Sequence, residues 1–368
     1  MNKTTPINSA LCLVHMPPPL YGVTAISQYV IDECLKDFDP VWVISINSSK
    51  NIQSIGLVGV RKIYFVLKTT CRIIHSLIRQ RFSFCYMTLT PTGIGFIKDC
   101  LFAVIVKAFR VKLVFHLHGK GVRDVINPLC KWLYRIVFKN EFVILLAQSL
   151  YDDVKAYVPP ENVYILPNGI AKICCEEKAE CENESTVILC IANMFRSKGV
   201  LDVLKVMREI AHDAPMVHAI FAGAWGDIAE EFFFAKAKKL GVADKITYAG
   251  FVTGEEKERL YQKADIFLYP TYNDTFPLVI LEAMQHSLSI VSTFEGVIPE
   301  MIEEGISGSL FPKGDIQSCV RVVRQLIENV EIRKTLGRNA RQRFEENYTM
   351  DIFEANIKRI MQSIGSRV

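Results

Sequence analysis

The sequence predicts an α/β protein of two doubly wound parallel sheets. Three observations carry this. The chain has 368 residues, enough for two domains at roughly 100–200 residues each. Both halves alternate short apolar runs with longer stretches of helical period, as βαβ units do. Between the halves lies a segment rich in Glu and Cys and without periodicity. The expected boundaries are a first domain over 1–170, a linker over 171–185, a second domain over 186–350, and a final helix over 351–368 that packs back on the first domain.

In order along the chain, residues 9–15 read as a strand, followed by a Pro-rich loop to Gly22. A helix over about 24–36 follows, then a strand at 41–46. Residues 112–116 make another strand, running into His116-Leu-His118-Gly119, and 142–147 and 162–166 make two more. In the second half, strands at 186–191, 217–222, 246–249 and 266–270 alternate with helices over 199–213, 228–240 and 254–263. In doubly wound sheets ligands gather outside the carboxyl ends of the strands, so the site is expected in a cleft between two facing domains.

Composition removes several classes. With 22% charged and 50% hydrophobic residues the chain is neither disordered nor collagen-like. Its apolar stretch over 101–109 carries Lys107 and falls far short of the roughly 20 residues that span a bilayer. The apolar run near the N-terminus is too short for a signal peptide, so the expected location is cytoplasmic. Eleven cysteines on such a chain read as free thiols. The group Cys174, Cys175 and Cys181 has no CxxC spacing, and no zinc site is expected.

Charge is uneven. Residues 1–168 hold 19 Lys and Arg against 10 Asp and Glu, a balance of +9, whereas the remainder is net negative. A basic half suits an anionic surface or a phosphate-bearing acceptor. No nucleic-acid motif accompanies it, so no nucleic-acid partner is expected. Residues 68–84 pair Lys68, Arg72, Arg79 and Arg81 with Ile73, Ile74, Leu77 and Ile78. Such a stretch reads either as an interfacial helix on the inner face of an anionic membrane or as a core helix with a solvated basic face.

The most informative segment is Pro270-Thr-Tyr-Asn-Asp274-Thr-Phe-Pro277-Leu-Val-Ile-Leu-Glu282-Ala-Met-Gln-His286. A strand ends at Pro270 and a helix begins near Phe276, with Asp274 or Thr275 placed to cap it and Pro277 in its first turn. The first N–H groups of such a helix can hold a diphosphate. Glu282, inside an apolar helix, needs a partner or a polar cleft.

These residues resemble the retaining glycosyltransferases of family four, which have the GT-B architecture of two facing Rossmann-like domains. Asp274 and Glu282 match that family's paired acids, eight apart, within Phe276-Pro277-Leu278 and Leu281-Glu282-Ala283-Met284. The resemblance implies that Asp274 contacts the donor sugar and Glu282 the nucleotide ribose. Two departures stand out: Asp274 replaces the usual Glu, and Thr275 the usual Gly. Asn193-Met-Phe-Arg196-Ser-Lys198-Gly199 resembles the donor-phosphate loop. Asn193 stands where an Arg is usual, Arg196 lies closer in, and Lys198 carries the diphosphate contact. Gly250-Phe251-Val252 resembles the segment whose backbone reads the base.

Loop 292–300 resembles one that approaches the sugar, with Glu295 and Glu300 readable equally as surface charges. Gly22 matches a loop glycine near the donor phosphate. His118, ahead of His116, matches a histidine near the transferred sugar, although either could be a packed core residue. The resemblance implies transfer with retention and without an essential metal. The donor is a nucleotide sugar, a UDP-sugar ahead of a GDP-sugar, carrying a hexose or N-acetylhexosamine. The acceptor is a glycan, polyprenyl-diphosphate-linked in bacterial surface-polysaccharide synthesis if the membrane reading of 68–84 holds.

The string Asp37-Phe38-Asp39 follows the first helix rather than a nucleotide-facing strand end and reads as coincidence. A nicotinamide dehydrogenase would need GxGxxG after the first strand, which is missing. A nucleotide-sugar epimerase, or a nucleotide-sugar-binding protein with weak or no transferase activity, remains as an alternative.

Overall fold

The computed structural model describes residues 9–18, 22–36, 38–47, 60–173, 185–211, 214 and 216–367. The Asp37 of the Asp-x-Asp string, Pro19 to Tyr21, and Cys174, Cys175 and Cys181 lie outside them. The chain divides into two compact units: the described residues up to Asn168 with those from Phe353 onward, and Gly169–Ile352.

The first unit holds six parallel strands: β1 (Ala10–Val14), β2 (Val41–Ser45), β3 (Phe84–Thr88), β4 (Lys112–Leu117), β5 (Phe142–Leu145) and β6 (Val163–Ile165). Their order in the sheet is β2-β1-β3-β4-β5-β6. Every residue of β1 and β3 is buried, which is why these strands read as continuous apolar runs rather than as alternating ones. The chain leaves β1 toward β2 in one direction and returns to β3 on the other side, so the switch point lies between β1 and β3.

Helices Val60–Arg79, Gly93–Ala108 and Pro128–Phe138 make the successive connections from β2 to β5. Right-handed crossovers set them on one face of the sheet, and each packs on the next. The final helix, Met350–Gly365, touches the first helix instead: Tyr29 Oη donates to Glu354 Oε2 at 2.8 Å, and the rings of Tyr29 and Phe353 meet edge to face. Lys107, which interrupts the long apolar run, is paired with the buried Glu141 at 2.6 Å, and Glu141 also accepts from Leu113 N. Burial of this charge is therefore compensated.

The second unit repeats the plan with β7 (Val187–Ile191), β8 (His218–Ala222), β9 (Ile246–Tyr248), β10 (Ile266–Tyr269), β11 (Ser289–Thr293) and β12 (Ser309–Phe311). The order β12-β11-β10-β7-β8-β9 is all parallel and switches between β7 and β10. Two of its helices carry side-chain caps. Asp315 accepts from Ser318 N at 3.0 Å, and Asn329 from Ile332 N at 3.0 Å.

The structure alters the reading of 68–84. The helix begins at Val60 and ends at Arg79, and β3 starts at Phe84. Ile73 and Leu77 are buried, whereas Ile78 is 71% exposed. Of the apolar residues singled out by sequence, Ile73 and Leu77 thus face the core, whereas Ile74 is half-buried and Ile78 points outward. Among the described residues, no helix is long and apolar enough to cross a membrane.

Candidate functional site

The second unit gathers its polar residues at the β7–β10 switch point. The chain leaves β7 through Asn193, whose Oδ1 accepts from Ala224 N at 3.1 Å and so ties the loops after β7 and β8. A short turn follows, Arg196–Lys198, ending at Gly199. Gly199 has φ +72°, and a Cβ there would lie 2.0 Å from the carbonyl oxygen of Pro270. Only glycine lets this turn lie against the end of β10. Ser197 O then accepts from Tyr272 N at 2.8 Å and from Thr271 Oγ1 at 3.2 Å.

This seam brings Lys198 and Asp274 together. Lys198 Nζ donates to Asp274 Oδ2 at 2.5 Å and to the Asn273 carbonyl at 3.2 Å. The same Oδ2 accepts from Tyr269 Oη at 2.7 Å. Burial, reinforced by the Asp274 carboxylate, raises the Tyr269 phenol well above its ordinary pKa, so it stays protonated and keeps donating. Asp274 N reaches Glu295 Oε1 at 3.4 Å, and Glu295 Oε2 is 2.6 Å from Lys313 Nζ. Two ion pairs, Lys313–Glu295 and Asp274–Lys198, therefore lie side by side across the ends of β12, β11, β10 and β7, joined by the Asp274 N–H.

Two expectations change here. Asp274 and Thr275 do not cap the following helix: Leu278–Gln285 starts after Pro277, and no side chain caps it. The Asp274 carboxylate is taken up by Lys198 and Tyr269 instead. Glu295, readable as a surface charge, is buried, and its ion pair with Lys313 explains how. Glu300 is partly buried, and its backbone oxygen accepts from Arg343 and Tyr348.

Glu282 has its own partners. Lys257 Nζ lies 2.7 Å from Oε1, and Tyr261 Oη donates to Oε2 at 2.8 Å. Behind it, His286 Nδ1 bonds to the Glu282 carbonyl oxygen at 2.7 Å, and Nε2 sits 2.9 Å from Glu258 Oε2. The His286 ring stacks on Tyr261 at 4.9 Å. Burial, then Glu282, raises the Tyr261 phenol well above its usual range.

The remaining donor-side candidates are placed as follows. Arg196 is exposed, its guanidinium 4.9 Å over the Phe232 ring, and its N–H donates to Asp227 Oδ1 at 2.7 Å. Phe276 and Pro277 are buried, Phe276 packing against Tyr348, and Leu278 opens the helix. Gly250, at φ +79°, accepts from Gly223 N at 2.8 Å; Phe251 is 69% exposed and Val252 buried.

In the first unit, Gly22 opens the helix Gly22–Tyr29. Here the switch point gathers histidines. His15, just past β1, has both its N–H and its Nδ1 2.9 Å from Thr88 Oγ1, at the end of β3. His116 is fully buried, and its Nδ1 meets Tyr86 Oη at 2.6 Å, so it is a core residue. The His118 ring lies tilted against it, centroids 4.0 Å apart, and its buried Nε2 has no hydrogen-bond partner among the described residues. Burial lowers the His118 pKa to about 3, helped by His15, and that of His15 to about 4, with Lys98 acting in the same direction and Asp99 against it. Lys98 and Asp99 are paired at 2.5 Å.

Sequence reasoning gave His15, Tyr269, Lys257, Tyr261 and Lys313 no role. His15 was legible only as a residue closing the first strand. The other four carry no motif signal, since their importance comes from contacts across the fold.

Two Rossmann-like units of parallel strands, each with polar residues at its switch point, define a GT-B protein. Residues 176–343 match the sequence profile of the family described as Glycosyl transferases group 1. The chain is 31% identical to sulfoquinovosyl transferase SQD2 of Arabidopsis thaliana over 40% of its own length and 28% of the relative's. It is 24% identical to the amylovoran biosynthesis glycosyltransferase AmsK of Erwinia amylovora, over 70% of this chain and 66% of that one. It therefore spans less than two thirds of these curated relatives. Among solved structures, Anabaena HepE in complex with UDP superposes with a TM-score of 0.73 at 16% identity, over 97% of this chain and 100% of that one, a likeness of fold.

Proposed function

We propose that this chain is a retaining, metal-independent glycosyltransferase. It moves a hexose or N-acetylhexosamine from a nucleotide sugar, a UDP-sugar ahead of a GDP-sugar, to a glycan acceptor. The acceptor is carried on a polyprenyl diphosphate in surface-polysaccharide synthesis. The observation that carries the reading is the Lys198–Asp274 pair at the β7–β10 switch point. The family profile, the amylovoran-biosynthesis relative and the UDP-bound fold neighbour support it.

In this reading Lys198, with Arg196, meets the diphosphate charge that grows as the glycosidic bond breaks, and the uncapped start of the helix Leu278–Gln285 adds N–H groups. These groups do the work a metal ion would otherwise do. Asp274 accepts hydrogen bonds from sugar hydroxyls, its carboxylate held in place by Tyr269. Glu282 accepts the ribose hydroxyls, which exchange with Lys257 and Tyr261. Neutral His118 offers its unpartnered Nε2 to a hydroxyl. The acceptor oxygen bonds to the anomeric carbon on the face the phosphate leaves, and the acceptor proton passes to a phosphate oxygen. The products are a glycoside of retained configuration and a nucleoside diphosphate.

The test is saturation-transfer NMR against UDP-, GDP- and dTDP-sugars, followed by turnover with and without acceptor and NMR of the product's anomeric centre. Selective donor binding, turnover with retention, and at least a hundredfold loss in Lys198→Ala and Glu282→Ala with the native fold retained are expected. Wild-type turnover in both variants would overturn the site. Binding without turnover would favour the non-catalytic alternative.

A further inference from the structure

The first unit carries an apolar surface that its core does not use. On the helix Val60–Arg79, the exposed residues Val60, Ile63, Tyr64, Leu67 and Ile78 fall within an arc of about 100° at 3.6 residues per turn. That arc lies opposite the buried Thr69, Ile73, Ser76 and Leu77. A parallel line of cations, Arg61, Lys68, Arg72 and Arg79, runs along one flank, all of them exposed. The next helix repeats the device: Ile94, Ile97, Leu101 and Val104 form one exposed line at spacings of three and four along Gly93–Ala108. On Pro128–Phe138 the same position is held by Leu129 and Trp132, the latter 55% exposed, beside Lys131 and Arg135. Ile126, 87% exposed, precedes that helix.

These three helices are neighbours on one face of the sheet. Their outward lines therefore make one surface, larger than scattered apolar residues account for. Its charge is one-sided. The only carboxylate within the three helices is Asp99, which is buried and paired with Lys98. Asp124, in the loop before the third helix, sits 3.8 Å from Arg123.

We propose that this three-helix face docks the protein on an anionic lipid bilayer. Apolar lines flanked by cations, with no exposed carboxylate on the helices, complement an acyl-chain boundary beneath negative headgroups. A second copy of the chain fits worse, because a two-fold pairing sets this face against itself and brings cations onto cations. The docking helix face is the outer line beginning at Val60, not the Ile73–Leu77 side. The proposal stands independently of the transferase reading.

The test uses the full chain in flotation with vesicles of phosphatidylcholine alone and of phosphatidylcholine with phosphatidylglycerol, at low and high salt. Flotation only with the anionic vesicles is expected, falling as salt rises, together with a blue shift of Trp132 emission and its quenching by brominated acyl chains. Leu67→Gln/Leu101→Gln/Trp132→Ala, all at exposed positions, should abolish flotation at either salt while Tm stays unchanged. Lys68→Gln/Arg72→Gln/Arg79→Gln should lower partitioning about a hundredfold at low salt. The proposal is overturned if anionic vesicles do not bind, if both variants bind like the wild type, or if light scattering shows a dimer that shields Trp132 while vesicles stay unbound.

Discussion

Acid should unfold the first unit early, and the histidines at its switch point set the scale. In the unfolded chain both His15 and His118 titrate near 6.5. In the folded unit burial lowers them to about 4 and about 3. Folded rings thus hold protons more weakly than unfolded ones. Stability is complete above about pH 6.5 and is lost as pH falls toward the folded values. At pH 5 the unfolded chain gains about 2 kcal/mol of protonation free energy per ring, and the folded unit almost none. Together the rings remove about 4 kcal/mol, a large share of the roughly 5–15 kcal/mol that stabilises a domain. His116, lowered well below its usual value by burial and by His118, adds to the effect. The assay is urea unfolding at several pH values in Trp225→Phe, which leaves Trp42 and Trp132 to report on the first unit, with the ring protons followed by NMR. A steep loss of stability between pH 6.5 and 5, reduced in His118→Gln, is expected. Ring midpoints near 6.5, or urea midpoints independent of pH in that window, would refute the assignment. A corollary concerns catalysis: His118 is neutral at pH 7, so its protonation should put no limb near 6.5 in the pH–rate profile.

Three other outcomes follow from the second unit. Gly296→Ala forces a side chain into φ +55° with its Cβ 2.2 Å from Asp274 O. The backbone angle alone costs about 1–2 kcal/mol, and the collision displaces the Asp274 loop, so thermal melting should show a lower Tm and turnover should fall with it. Tyr269→Phe removes one of the two donors to Asp274 Oδ2 and should cost about 1 kcal/mol in urea unfolding, with a lower kcat and little change in donor Kd. For Glu282 and Lys257, which meet at 2.7 Å with both side chains mostly buried, a cycle of Glu282→Gln, Lys257→Met and the double variant should give a coupling of about 1–2 kcal/mol. Coupling near zero would mean that the pair is incidental.

The fold was legible because parallel strands buried on both faces leave continuous apolar runs, as in Ala10–Val14 and Ile266–Tyr269. β3 went unnoticed because Phe84–Thr88 directly follows an amphipathic helix whose pattern runs into it. The pairing of acids eight apart was legible as a motif, and so was the Lys198 loop. Their partners were not. Tyr269 meets Asp274 through the end of β10, Glu295 arrives from the end of β11, and Lys257 comes from a different helix. No local periodicity encodes such meetings, since they depend on strand order. The two readings of residues 68–84 stayed open in the sequence, because amphipathicity cannot distinguish a core face from an outer apolar line when a helix carries both, as Val60–Arg79 does.

The replacement of Gly by Thr275 in the resembled motif can be judged on backbone geometry. A glycine is required where φ is positive or where a Cβ would collide. Among the described residues, the non-glycine positions with positive φ are Arg110, Asn140 and Ser287, so Thr275 occupies ordinary backbone space. The close approach at this site is made instead by Gly296 and Gly199, which lie against Asp274 O and Pro270 O. Thr275 itself contributes a backbone oxygen that accepts from Val297 N at 3.2 Å. Restoring the motif with Thr275→Gly therefore relieves nothing. It gives the unfolded chain more freedom, which should cost about 0.4–1 kcal/mol of stability and leave turnover no higher. A gain in turnover in that variant, measured beside its Tm, would show that the threonine side chain obstructs the donor rather than replacing a dispensable glycine.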